Sequence, residues 1–339
     1  MLFQYWLILV AFSACVNSTN IKEQSQSSKR KIDGANWMRD NIDVLGKRTL
    51  NEICMPGSHD SGMSSFYSGT SMAHSCNVLT QSLPIRGQLE NGARYFDVRP
   101  DLVSGNGFQT GHYLKLPGGK CIGGNGQSIA SIVNDINQFI ASHNELVIVK
   151  LSHSLNSNRC GFFSMLEWES VFRILDQTLN LYFNDDEKIR LDKLTLNHFT
   201  NNGNKGAVLY IVSEDEVKLW YRLGRGFYYD SNLNIYDEYS NTNLLPRMME
   251  DQIKKMKEES KNYFFILSWT LTLSVRNALF CRIKYAKSIR ELAVQAHNSL
   301  PNIISEVNST AFPNVLYVDD IKDTDIVSVA MDITNKLEV

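Results

Sequence analysis

The chain has 339 residues, of which 43% are hydrophobic and 21% charged, and its formal net charge is −2. This composition is typical of a globular protein and excludes a disordered chain. The near-neutral charge argues against nucleic acid as a partner, and the length suits one large domain or two ordinary ones.

The chain begins with an apolar run from residue 2 to residue 16, which is followed by small residues and a polar stretch. This order predicts a secretory signal peptide at 1–18, cleaved after Cys15 or Ser18. The alternative is a signal anchor that is never cleaved, which the shortness of the apolar run disfavours.

We therefore expect a polar segment at 19–35, a single folded domain at 36–339, and a secreted, extracellular protein. No second apolar run is long enough to predict another transmembrane segment. Asn308 begins an Asn-x-Ser/Thr sequon and is the predicted glycosylation site.

Short apolar runs, each a candidate buried strand, recur along the rest of the chain. In chain order they cover residues 50–55, 93–100, 107–113, 145–153, 207–215, 263–272 and 314–320. Amphipathic stretches such as 128–142 and 168–181 lie between them. This alternation predicts an α/β fold with a parallel sheet, and the number of strands favours an irregular TIM-type (β/α) barrel. A doubly wound sheet is the alternative.

Ionisable and polar side chains follow these runs. In chain order they are His59 and Asp60, Asp97 and Arg99, His112, Ser152 and His153, and Asp319 and Asp320. In a parallel barrel these positions meet at one rim, where active sites are built. Two histidines suit a general base and a general acid, and an arginine suits a phosphate group. The set therefore predicts phosphodiester cleavage.

Each of these residues also has a simpler interpretation. Asp60, which is followed by Gly62, is compatible with a plain turn, and a lone His59 is more often structural than catalytic. Asp97 and Arg99 face the same side of a strand and could form a structural ion pair. A metal site built from His59, Asp60, Asp97 and His112 is a further alternative.

Four sequence segments carry a family resemblance. They are LNEICMPGSHDSG at 50–62, TQSLPIRGQLENGARYFDVRP at 80–100, GHY at 111–113 and ELVIVKLSH at 145–153, and NVLYVDDI at 314–321 matches a final strand. Together they resemble the X domain of phosphatidylinositol-specific phospholipase C, in particular the small stand-alone X-domain proteins and the bacterial secreted enzymes. The family fold is an irregular TIM-type barrel.

The resemblance implies a role for each of five residues. His59 resembles the general base, and Asp319 the carboxylate that orients it. Arg99 resembles the arginine that binds the phosphate. His112 resembles the general acid, and Asp60 its carboxylate partner. The implied reaction cleaves phosphatidylinositol or a glycosyl-phosphatidylinositol (GPI) lipid through a cyclic inositol phosphate.

The resemblance also bears on metal and substrate binding. Calcium-dependent members carry an acidic ligand where Arg99 stands, so we expect a metal-independent enzyme without a cofactor. Asp97, Lys150, His153 and Trp269 are the expected substrate contacts. The sequence departs from the bacterial pattern, since two basic residues that help to bind inositol are missing and Lys150 would have to compensate.

A phospholipase must also reach lipid. We expect transient contact with a membrane surface through an aromatic rim formed by Phe162, Phe163, Phe227, Tyr228 and Tyr229, with loop residues folded back onto the barrel as the alternative. We expect a monomer. Two other functions stay open, namely a catalytically weak protein that binds inositol lipid or glycan, and a phosphodiesterase for a different lipid headgroup.

Five cysteines remain outside the predicted signal peptide. In an oxidising compartment this odd number predicts two disulfides and one free thiol, which we assign to Cys54 in the first apolar run. The other four follow predicted strands. Because neighbouring loops pair most easily, we expect Cys76–Cys121 and Cys160–Cys281.

Overall fold

The computed structural model of the protein describes residues 32–214, 216–283 and 285–337. The predicted signal peptide and most of the polar segment at 19–35 lie outside the described residues. The strands are β1 (Met55–Ser58), β2 (Ser68–Gly69), β3 (Tyr95–Val98), β4 (Pro100–Val103), β5 (Gly107–Leu116), β6 (Lys120–Ser128), β7 (Leu146–Leu151), β8 (Leu155–Asn156), β9 (Ala207–Val212), β10 (Phe227–Tyr229), β11 (Ile235–Tyr236), β12 (Phe264–Ser268) and β13 (Val315–Val318).

The α-helices are α1 (Trp37–Asp40), α2 (Ile42–Leu45), α3 (Ser75–Val78), α4 (Ile85–Glu90), α5 (Ile129–Ile140), α6 (Met165–Leu175), α7 (Leu196–Thr200), α8 (Asp230–Leu233), α9 (Leu245–Glu259), α10 (Val275–Phe280), α11 (Ile289–Ser299) and α12 (Ile326–Thr334). Short 3-10 helices cover Leu50–Glu52, Leu191–Lys193, Trp220–Arg222, Cys281–Ile283 and Leu300–Glu306. Within the described residues, no helix has the length and apolar character needed to cross a membrane.

Eight strands form one curled sheet in the order β10-β9-β7-β3-β1-β13-β12-β11, and all neighbouring pairs are parallel. Its central strands are buried along their whole length, which explains why their sequences are continuous apolar runs. The α/β fold with an irregular TIM-type barrel is therefore confirmed. The outermost strands β10 and β11 are short, and no ladder joins them in the described part of the chain, so the barrel is open there.

A second, five-stranded sheet has the order β2-β6-β5-β4-β8. β5 belongs to this sheet, where it pairs with β4 and β6 in the antiparallel sense. The expectation that residues 107–113 form a barrel strand was wrong, because the run leads into a hairpin with β6 instead of a helical crossover. Only Arg99 separates β3 in the barrel from β4 in the smaller sheet.

Local capping explains where several elements begin. Residues 50–55 were expected to be a strand, yet Leu50–Glu52 form a 3-10 turn because the Glu52 carboxylate accepts from the Thr49 backbone N–H at 2.8 Å. β1 therefore begins only at Met55. The helix expected at 128–142 is confirmed as α5, which Ser128 caps.

The disulfides are Cys76–Cys281, with 5.9 Å between Cα atoms, and Cys121–Cys160, with 5.5 Å. Both expected pairings were wrong. The smaller sheet brings β8, just before Cys160, to the same sheet as β6, which carries Cys121. Cys76 lies in α3, which packs beside the segment after α10. The prediction that Cys54 is a free, buried thiol is confirmed.

Candidate active site

His59 follows β1 and faces the residue that follows β13. The backbone N–H of His59 donates to the Val318 carbonyl at 2.9 Å, which extends the β1–β13 ladder by one residue. His59 Nδ1 then lies 2.7 Å from Asp319 Oδ1, and this carboxylate is buried. Since the carboxylate accepts a hydrogen bond from the Nδ1–H group, Nε2 is left as the ring nitrogen that can take up a proton.

Arg99 lies on the other side of the His59 ring. Its Nη2 is 2.8 Å from His59 Nε2, and its Nε donates to Asp97 Oδ2 at 2.9 Å. A guanidinium has only donors, so this contact needs the Nε2 lone pair and fits the neutral imidazole. Burial by itself would lower the pKa of His59, but the Asp319 carboxylate more than offsets it, and the pKa is raised. His59 therefore lies between the Asp319 carboxylate and the Arg99 guanidinium, with its Nε2 lone pair facing the guanidinium.

Asp97 is buried and fixes Arg99. Besides Arg99, its carboxylate accepts hydrogen bonds from Ser152 Oγ at 2.8 Å and Tyr317 Oη at 2.7 Å. Burial alone would raise its pKa, but Arg99 and then His59 outweigh it, and the pKa of Asp97 falls well below its usual range. These contacts match a structural ion pair with Arg99 and not the expected contact with substrate.

Asp60 is a buried carboxylate in the turn that follows His59. Its backbone has a φ of 41°, in the left-handed region that is unusual for a residue other than glycine. Its Oδ2 lies 3.6 Å from Arg99 Nη1 and 3.7 Å from His112 Nδ1, both too long for hydrogen bonds. Burial raises the pKa of Asp60, and Arg99 and His112 oppose that effect. Within the described residues, neither carboxylate oxygen of Asp60 has a hydrogen-bond partner.

His112 reaches the site from β5 in the smaller sheet. Its Nδ1 lies 3.0 Å from the carbonyl of Val78, the last residue of α3. The carbonyl can only accept, so Nδ1 carries a proton and Nε2 is the ring nitrogen available for proton transfer. Asp60 lies on the Nδ1 side of this histidine, as expected, but the carbonyl of Val78 holds the ring.

Of the four expected substrate contacts, Asp97 and Lys150 have protein partners and Trp269 lies in the core. Lys150 faces inward and is almost buried, yet its Nζ donates to Asp237 Oδ2 at 2.6 Å. His153 is exposed next to the rim, with a φ of 52°. Trp269 is fully buried, and its indole N–H donates to the Ala296 carbonyl at 2.9 Å. Its expected contact with substrate is therefore wrong, because the side chain faces the core.

Most residues of the expected aromatic rim are not exposed, so this expectation was largely wrong. Phe227 and Tyr228 are fully buried in β10, and Phe163 packs on Trp168. Of the expected set, Phe162 alone is exposed by more than half. β10 belongs to the barrel sheet and is buried on both faces at Phe227 and Tyr228, which the aromatic composition of the run does not reveal.

The described residues contain no group of three or more His, Cys, Asp or Glu side chains that could hold a metal ion. The alternative four-residue metal site is therefore not formed. The guanidinium of Arg99 occupies its place and approaches His59, Asp60 and Asp97.

Two residues of the site were missed by sequence reasoning. Tyr317 lies on β13, two positions before Asp319, which follows the strand. The period of a strand places both side chains on the same side, so this signal was available in the sequence. Asp237 follows β11, a strand of only two residues, and no local pattern distinguishes it. Its position depends on the pairing of β11 with β12.

Comparisons with known proteins support the architecture. A mutant of the phosphatidylinositol-specific phospholipase C from Staphylococcus aureus superposes with a TM-score of 0.61, over 91% of this chain and 98% of that chain, at 17% identity. The phosphatidylinositol-specific phospholipase C from Listeria monocytogenes has a TM-score of 0.56 over 91% and 100%, at 15% identity. No family model and no curated protein matches the sequence. The chain therefore has the fold of these bacterial enzymes.

Proposed function

We propose that the protein is a phospholipase C-like phosphodiesterase that cleaves phosphatidylinositol or GPI-type lipids. The observation that carries this proposal is the pairing of His59 with Asp319 on one side and Arg99 on the other, at 2.7 and 2.8 Å. A base whose free nitrogen faces a guanidinium suits a nucleophilic hydroxyl next to a phosphate. The shared fold of the two bacterial enzymes adds support.

The first step is an intramolecular attack. His59 Nε2 takes the proton of the inositol hydroxyl next to the phosphodiester, and the hydroxyl oxygen forms a bond to phosphorus. Arg99 leaves Nε2 for the phosphate oxygens and offsets the charge that develops on them. His112 Nε2, in its protonated form, gives its proton to the departing diacylglycerol oxygen as that P–O bond breaks.

The products are a cyclic inositol phosphate and diacylglycerol. In a second step water opens the cyclic phosphate, with the two histidines in exchanged roles. Asp60 is placed to hold the charge of the protonated His112, since its carboxylate has no hydrogen-bond partner of its own among the described residues.

The test is phosphorus NMR of phosphatidylinositol micelles with the wild type, His59→Ala and His112→Ala. We expect a cyclic phosphate resonance with the wild type, followed by a slower acyclic one, and neither with the variants. Full activity in either variant would show that the mechanism is wrong. His143, which stacks on Phe139 away from the site, offers a matched control as His143→Ala.

One observation favours testing a second candidate function. Lys150, which was expected to compensate for missing inositol contacts, has its charge matched by Asp237 at 2.6 Å. The positive charge of Lys150 is therefore already paired within the protein, and basic residues alone do not define which headgroup the site binds. A panel of inositol, choline and glycerol lipids in the same assay separates the candidates: cleavage of another headgroup indicates a different phosphodiesterase, and binding without cleavage indicates a lipid-binding protein.

A further inference from the structure

The segment between α3 and α4 contacts both turns that carry the base and its carboxylate, and it takes no part in the proposed chemistry. At its centre lies Gln81, whose side chain is fully buried. Its amide Nε2 donates to the His59 carbonyl at 2.9 Å and to the Val318 carbonyl at 3.2 Å. Its Oε1 accepts from the Ile321 backbone N–H at 3.1 Å. Because both amide protons have protein partners, Gln81 has no donor left for a substrate.

These three contacts bridge β1 and β13 at the point where their ladder ends. The strands pair as far as Val318, and the His59 N–H adds one more bond to the Val318 carbonyl. Beyond that point, no backbone hydrogen bond in the described part of the chain joins the turn after β1 to the turn after β13. The Gln81 amide takes the place of a continued ladder, since it holds the His59 carbonyl and the backbone on both sides of Asp319.

Both turns need such support because each contains a residue in the left-handed backbone region. The φ angle is 41° for Asp60 and 44° for Asp320, and a residue other than glycine keeps this conformation only where its surroundings impose it. Thr80, next to Gln81, contacts both residues. Its hydroxyl donates to the Asp60 carbonyl at 2.8 Å, and its carbonyl accepts from the Asp320 N–H at 2.8 Å. The segment therefore fixes the backbone of the two turns relative to each other.

We propose that Gln81 is a positioning residue, which keeps His59 and Asp319 at hydrogen-bond distance by fixing the backbone of both turns. The 2.7 Å contact between His59 Nδ1 and Asp319 Oδ1 depends on how these turns lie side by side, and the Gln81 amide contacts both of them. The proposal rests on the proposed function only in the use of His59 as the base. The alternative is a glutamine that stabilises the fold and leaves the pair unchanged.

The test is an NMR titration of the His59 ring in the full chain, with the wild type and Gln81→Met. Methionine is close to glutamine in size and flexibility but makes none of its hydrogen bonds. Asp319 raises the pKa of His59 against the effect of burial, so a carboxylate that moves away lets this pKa fall. We therefore expect a lower pKa for His59 in Gln81→Met. The resonance of His59 is assigned by its loss in His59→Ala.

Activity on phosphatidylinositol micelles gives a second readout. A misplacement of about 1 Å can cost about 10²-fold in rate, so we expect kcat of Gln81→Met to fall about 10- to 100-fold, with KM changed by less than about twofold. The matched control is Gln252→Met. Gln252 is also fully buried, and its amide donates to the Glu238 carbonyl at 2.9 Å and accepts from the Ser268 N–H at 2.9 Å. Neither partner belongs to the two turns, so the control should lose stability and keep the pKa of His59.

An unchanged pKa of His59 in Gln81→Met would overturn the proposal, even if the variant is less stable. Equal losses of kcat in Gln81→Met and Gln252→Met would also overturn it. If Gln81→Met does not fold, Gln81→Asn replaces it. Its amide is one methylene shorter and cannot contact both carbonyls and the Ile321 N–H together, so the same fall in the pKa of His59 is expected. If the wild type cleaves no phosphatidylinositol, the proposed function fails, whereas the titration of His59 still decides the role of Gln81.

Discussion

Replacing Asp319 by asparagine tests the central pair most directly, because it keeps the size of the side chain and removes only its charge. The carboxylate fixes the proton on His59 Nδ1 at 2.7 Å. An asparagine amide can instead donate to Nδ1, which would place the ring proton on Nε2. That proton would face Arg99 Nη2, a donor 2.8 Å away, and Nε2 could no longer act as a base.

The expected loss can be built up from these contacts. A hydrogen bond to a charged group is worth about 1.5–3 kcal/mol, which alone gives roughly a 10- to 100-fold loss. Inversion of the tautomer adds to it, and a catalytic triad that loses its carboxylate charge falls by about 10⁴ in kcat. We therefore expect kcat to fall by about 10³–10⁴ for Asp319→Asn.

The assay is release of inositol phosphate from phosphatidylinositol micelles across a pH series. Asp319 raises the pKa of His59 against the opposing effect of burial. Without the charge that pKa falls, so the acid limb of kcat/KM moves to lower pH. The matched control is Asp320→Asn, because the Asp320 carboxylate accepts from Ser82 and not from His59. Activity of Asp319→Asn within about threefold of the wild type would refute the reasoning.

Three further predictions concern other parts of the structure. In Arg99→Lys, a single ammonium group cannot contact both Asp97 and His59, so kcat should fall by about 10²–10³ in the same assay. An equal loss of kcat in the surface control Arg86→Lys would contradict this reasoning. Asp97→Ala leaves Arg99 partly buried without its partner and should lower the free energy of unfolding by about 3–5 kcal/mol in urea, where a change below about 1 kcal/mol would count against the ion pair. Because the pKa of Asp97 is lowered on folding, this contribution is complete above about pH 4 and is lost as the pH falls below that value. Asn308 is exposed in a turn, so a glycosidase should reduce the mass of the protein secreted from glycosylating cells, and no such change should occur in Asn308→Gln.

The sequence was most informative where strand ends meet. His59, Asp97, Arg99 and Asp319 follow buried apolar runs, and parallel strands bring such positions to one edge whatever their separation in the chain. The pairing of His59 with Asp319, 260 residues apart, follows from that rule and from the family resemblance.

Other features depend on contacts that no local pattern encodes. His112 reaches the site from β5, a strand of the second sheet. Its position at the rim was predicted from the incorrect assumption that β5 is a strand of the barrel. The disulfide partners depend on how that sheet lies against the barrel loops. Lys150 meets Asp237 only because β11 pairs with β12 at the open edge of the barrel.

The Cys76–Cys281 bond has a consequence for where the protein can work. It joins the exposed segment after β12 to the short helix α3, whose last carbonyl holds the His112 ring. Opening this one bond in a reducing compartment would loosen the segment after β12 and the support of the His112 ring together. The surroundings of His112 are therefore expected to be fully assembled only where thiols are oxidised.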